Sequence, residues 1–112
     1  MRLIEENISK AIINKENAVL SNTAISFNGN YTKCLINLHG NIIVEIDYKN
    51  NSVKLNNRNF RTNITKGRMN IILSALDIPY RVRHRNRKWE VFNTENKNEI
   101  KAFKNGMIIP IK

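Results

Sequence analysis

No disulfide can close within this chain, because Cys34 is its only cysteine, and a cysteine-built metal cluster is excluded with it. Cys34 stands in the alternation Cys34, Ile36, Leu38, which predicts a buried thiol rather than a reactive one. Histidine is nearly as scarce: His39 and His84 are the only two, and neither has a second donor at a metal-ligand spacing. Gly-rich phosphate loops, nucleophile elbows and zinc patterns are all missing. No catalytic residue, metal site or cofactor is therefore assigned, and the chain reads as a non-enzyme. A small nuclease built on His39 would need Glu45, Asp47 or His84 to converge on it in the fold.

Long apolar runs are also absent. Glu5, Glu6, Lys10, Lys15 and Glu16 break up the first twenty residues, so neither a signal-peptide core nor a membrane span is expected there. The expected location is cytoplasmic, with no membrane partner. With 112 residues and no repeat or linker, 1–112 reads as a single domain. Asn is in excess, at 20 residues, which an AT-rich coding sequence explains without any functional role.

What the middle of the chain lacks most is acid. From Lys49 to Lys88 there are eleven basic residues and one acid, Asp77, so this stretch carries the whole formal charge of +10. A localised excess of that kind is the footprint of a surface that meets phosphates or an acidic protein face. The plainer reading is a solvated face that keeps a basic protein soluble.

The hydrophobic pattern predicts an amphipathic helix over residues 2–14, from Leu3, Ile4, Ile8 and Ile12. Strand signals follow through Cys34, Ile36 and Leu38. Beyond His39-Gly40-Asn41, Ile42, Val44, Ile46 and Tyr48 are expected to share one face, and Val53 and Leu55 mark a third strand of a meander. The period then lengthens: Met69, Ile72, Leu73 and Leu76 form a helical stripe that Thr62 or Thr65 can cap and that Asp77, Ile78 and Pro79 end. Residues 80–85 and 88–92 read as a hairpin turning at Asn86-Arg87, and a second hairpin is expected around Asn105-Gly106. The fold class is α+β: a small antiparallel sheet, a meander plus C-terminal hairpins, with about two helices.

Two constellations stand out for binding. In the run RNFRTNITKGRMN, the helix start at Thr62 or Thr65 lies beside Arg58, Arg61, Lys66 and Arg68, where a bound anion would offset the unfavourable placing of cations at a helix N-terminus. In the hairpin, Arg81, Arg83 and Arg85 alternate along one face and Arg87 and Lys88 sit at the turn, opposite Tyr80, Val82 and His84. The alternative for that row is an edge strand kept from aggregating by its charge. Of the nearby aromatics, Trp89, Tyr80 and Phe60 are expected in the core, not on a stacking surface.

INLHGNIIVEI, NFRTNITKGRMNIIL, RKWEV and FKNGMIIP together resemble a widespread family of small bacteriophage and mobile-element proteins. Its members have a Leu-His-Gly strand, an aromatic-Arg-Thr-x-x-Thr-Lys-x-Arg-x-Asn helix start, a Trp-containing hairpin and a late turn. The resemblance covers about residues 21–111 as a core, leaving the N-terminal helix outside as an added element and a candidate homodimer contact. Asn59-Phe60 stands where family members often have Gly-Trp. The resemblance implies a phage-type origin and brings no established activity. Two readings follow. One is a non-catalytic binder of DNA or RNA acting on the phosphate backbone through the basic residues above. The other is an anti-defence inhibitor of the anti-CRISPR kind that binds a host nucleoprotein.

Overall fold

The computed structural model describes residues 3–111, so Arg2, at the start of the expected N-terminal helix, lies outside the described residues. α1 (Leu3–Asn14) forms as the spacing predicts, with Glu5 and Glu6 in its first turn, where carboxylates favour the helix dipole. Its apolar stripe, Ile8, Ala11 and Ile12, is buried against α2 (Asn63–Ala75) and against β1 (Ala18–Leu20) and β2 (Thr23–Phe27). These three positions of the stripe are covered within the chain, while Ile13 on the same helix is exposed.

Among the described residues there are two helices and nine strands in two antiparallel sheets. The larger sheet takes in β1, β2, β3 (Lys33–Leu38), β4 (Asn41–Asp47), β5 (Ser52–Leu55) and β9 (Met107–Pro110), in that order. One face carries Ile25, Cys34, Ile36, Val44, Ile46, Val53, Leu55 and Ile109 into the core, where Met69, Ile72 and Leu73 of α2 meet them. The smaller sheet is β6 (Tyr80–Arg85), β7 (Lys88–Asn93) and β8 (Ile100–Ala102). The α+β class and the meander stand.

Three expectations need correction. The Asn105-Gly106 turn forms, with Gly106 at φ 84°, but it does not close a hairpin. β8 pairs with β7 in one sheet and β9 pairs with β5 in the other, so the turn hands the chain between sheets. Contacts from outside the turn direct it there: Gly106 N–H donates to the Leu55 carbonyl at 2.8 Å, and Asn105 Oδ1 accepts from Asn57 N–H at 2.9 Å.

The second correction concerns β4. Ile36 pairs with Val44 and Asn37 with Ile42, which leaves Ile43 as a bulged extra residue. The bulge sends Ile43 into the core, fully buried, and turns Ile42 out of the row it was expected to share with Val44 and Ile46. Third, Phe60 is 42% exposed rather than buried, because it follows Arg58 and Asn59, both left-handed at φ 52° and 64°.

Asparagines build many of the turns. Asn28 Oδ1 accepts from Thr32 and Lys33, while Asn56, Asn57, Asn93 and Asn96 each accept the N–H two residues on. Asn51, Asn59 and Asn86 occupy left-handed positions.

Candidate nucleic-acid interface

Thr62 caps α2: it has extended backbone, and its Oγ1 accepts from Thr65 N–H at 3.2 Å. Thr65 is fully buried and joins Thr62 through a 3.0 Å hydroxyl pair. Both threonines therefore serve the helix start. Arg68 is 6% exposed, its Nε donating to Thr23 Oγ1 at 2.9 Å and its Nη2 to Asn22 Oδ1 at 3.4 Å. The Leu38-His39-Gly40 turn reaches the same point, since His39 N–H donates to the Asn22 carbonyl at 2.9 Å. Asn70, two residues after Arg68, lies about 200° around the helix. There its amide pairs with the backbone of Val82 on β6. Arg68 and Asn70 thus clamp α2 to the two sheets, one each, and the cations of the chain do not form one continuous face.

The remaining basic residues divide by what holds them. Arg58 is exposed, but its Nε donates at 2.9 Å to the Ile42 carbonyl beside the bulge. Arg81 folds back, Nη1 donating to the carbonyls of Ile78 and Tyr80, each at 2.6 Å. Arg83 is paired with Glu90, Nη2 to Oε2 at 2.7 Å, and its guanidinium lies 4.4 Å over the Phe92 ring. Arg61, Lys66, Arg85, Arg87 and Lys88 have no carboxylate partner among the described residues. Arg61, Arg85, Arg87 and Lys88 are also exposed, and Lys66 is half-buried.

Chain geometry directs these two groups, the start of α2 and the β6–β7 turn, toward the same end of the α2–β6 pair. The helix closes with Asp77 left-handed and Ile78 N–H donating to the Leu73 carbonyl at 3.0 Å, and the bonds of Val82 to Asn70 show that β6 then heads back along the helix. With Val82 held level with Asn70, two further strand residues advance about 6.7 Å. One helical turn back from Asn70 to Lys66 is about 6 Å. The β6–β7 turn, with Asn86 and Arg87 at φ 52° and 62°, therefore points toward the N-terminal end of α2. Exposed Phe60 adjoins Arg61 at this end.

The outward face of the small sheet continues from the turn. Register places Arg83 beside Glu90 and Ala102, and Arg81 beside Phe92 and Ile100. A groove of about 440 Å³ runs over this face, lined by Arg83, Arg85, Phe92, Lys97 and Ile100 among others. The inward face buries Trp89, edge-on to Phe103 at 5.3 Å. Phe92 and Lys97 are functional candidates that charge counting missed. The strand alternation that buries Trp89 and Val91 was the signal that turns Phe92 outward. Asn93 and Tyr80 hold Glu99 just before β8, the hydroxyl donating at 2.9 Å and the amide at 2.8 Å, and these bonds keep the Glu99 carboxyl below its ordinary range. Burial pushes the Cys34 thiol up to about 12.

His39 is exposed in its turn, whereas Glu45 and Asp47 lie further along β4, Asp47 opposite Lys33 at the far end of the hairpin. His84 belongs to the other sheet. The convergence a His39-based nuclease needs is not formed. Among the described residues, no three His, Cys, Asp or Glu side chains gather as a metal site, and no helix is long and apolar enough to cross a membrane.

Fold and surface together define a small α+β protein with basic residues at the start of α2 and the β6–β7 turn that have no carboxylate partner among the described residues. The chain belongs to the family described as Kyanoviridae Gp96 protein, whose model matches residues 1–110. That match includes α1, which therefore lies inside this family's extent. Comparisons with curated proteins and with solved structures found no match.

Proposed function

We propose that this phage-family protein is a non-catalytic nucleic-acid binder that holds the phosphate backbone with Arg61, Lys66, Arg85, Arg87 and Lys88. The observation that carries the reading is that the β6–β7 turn points toward the start of α2, each bearing cations that have no carboxylate partner among the described residues. Charge gathered without an internal counter-ion is disfavoured in the free protein, and phosphates relieve it.

Affinity for labelled DNA and RNA across a salt series tests this. Each engaged phosphate contributes about −0.9 to the slope of log affinity against log salt on duplex DNA, so engagement of all five cations gives a slope of roughly −4.5. Arg85→Gln with Arg87→Gln should reduce its magnitude by about 2. Absence of binding to DNA and RNA at low salt overturns the proposal. Phage-family membership supports a second reading, an anti-defence inhibitor docked on a host nucleoprotein. Recovery of one effector protein from a nuclease-treated host lysate, together with no affinity for bare nucleic acid, would favour it.

A further inference from the structure

We infer that the outward face of the β6–β7–β8 sheet is a base-stacking slot, and that the protein prefers single-stranded nucleic acid to duplex. The inference rests on the nucleic-acid reading above and names its substrate class. Arg83 is the pivot. Its Nη2 and Nε reach Glu90 Oε2 at 2.7 and 2.8 Å, which neutralises most of its value as a phosphate contact. The same bonds immobilise a planar group over the Phe92 ring, Cζ 4.4 Å from the centroid, while 35% of the side chain stays exposed. A guanidinium held in place by a carboxylate, close over an aromatic ring and partly exposed where both line a groove, offers a surface on which a nucleobase can stack.

The surroundings fit a strand with accessible bases. Ile100 borders the groove and is 43% exposed, giving a base edge an apolar wall. Arg85 and Lys97 line the same groove as cations for flanking phosphates. The roughly 440 Å³ of space is a local slot rather than an open platform. In a duplex the bases are already stacked on one another, so the slot adds nothing to its binding; an unpaired base is free to enter.

The test compares the full-length protein on a single-stranded oligonucleotide carrying 2-aminopurine and on the duplex of the same sequence, at one salt concentration. The expected results are a change in 2-aminopurine fluorescence on the single strand and at least roughly tenfold tighter binding than to duplex. Arg83→Lys keeps the charge and loses the plane; Phe92→Leu keeps an apolar floor and loses the ring. Each should weaken single-strand binding several-fold, with duplex affinity and salt slope unchanged and thermal melting confirming the fold. Equal affinity for both forms with no fluorescence change overturns the slot, yet leaves the phosphate-binding reading standing if binding stays salt-dependent. Failure to bind either form at low salt removes both.

Discussion

The side-chain amide of Asn70 pairs with both backbone groups of Val82: Oδ1 accepts its N–H at 2.7 Å and Nδ2 donates to its carbonyl at 2.9 Å. A helix side chain thereby occupies the outer edge of β6, where an added strand would otherwise bond. Asn70→Ala leaves both half-buried groups without a partner, and each is costly to leave unmade. The expected loss is about 2 kcal/mol by urea unfolding, with increased self-association as the edge is uncovered. Unchanged stability would show that water replaces the amide.

Arg68 and Arg87 should separate cleanly. Arg68→Ala removes a buried side chain and its bonds to Thr23 and Asn22, and is expected to lower stability by about 2–3 kcal/mol. Its effect on nucleic-acid affinity, measured where the variant is folded, should be small. Arg87→Gln does the reverse: the melting temperature holds, affinity falls, and the salt slope loses about 1. A folded Arg68→Ala with affinity reduced as much as Arg87→Gln would return Arg68 to the interface.

Tyr48 carries a buried hydroxyl with no hydrogen-bond partner among the described residues, and Lys15 Nζ lies 4.3 Å from its ring centroid. Removing an orphaned polar atom while keeping the ring relieves a desolvation cost. Tyr48→Phe is therefore expected to raise stability by up to about 1 kcal/mol, read as a higher urea midpoint with an unchanged slope. A loss of stability would reveal a water bridging the hydroxyl.

Glu99 ties β6, β7 and the approach to β8 through Asn93 and Tyr80, and the Asn93 amide followed by the Tyr80 hydroxyl holds its carboxyl below the usual range. Because the folded state depresses this group, its contribution is present above the ordinary carboxylate pKa. It is lost as the pH falls from there through the folded value. Glu99→Gln should flatten the acid limb of the stability profile below the ordinary carboxylate range, measured as urea midpoint against pH. An unaltered limb would assign acid sensitivity to other carboxylates, of which Asp47, lowered chiefly by the Asn50 side chain, is the first to examine.

How much was legible depended on the range of the interactions. Local rules found α1, α2 and its termination before Asp77-Ile78-Pro79, the β6–β7 turn, and the alternation that buries Cys34. Each of these is set by neighbours within a few residues. The same rules saw the Asn105-Gly106 turn but assigned its flanking strands to each other, because a turn signal carries no information about Leu55 and Asn57, fifty residues away, which draw β9 into the larger sheet. The bulge at Ile43 was equally invisible: one extra residue flips a strand face without changing its composition.

By itself, then, the sequence determined that this protein is α+β, that its charge lies between Lys49 and Lys88, and that Cys34 is inert in the core. Only the tertiary structure decided which of those charges face outward. Arg68 looked like an anion ligand beside a helix start, yet its side chain reaches from α2 to the start of β2 and is buried against Thr23 and Asn22. Arg83 looked like one of a row of phosphate contacts, yet the register of β6 with β7 sets it opposite Glu90 and close over Phe92. Charge is a property of each residue alone; whether it is available depends on which partner the fold brings within three ångströms or so.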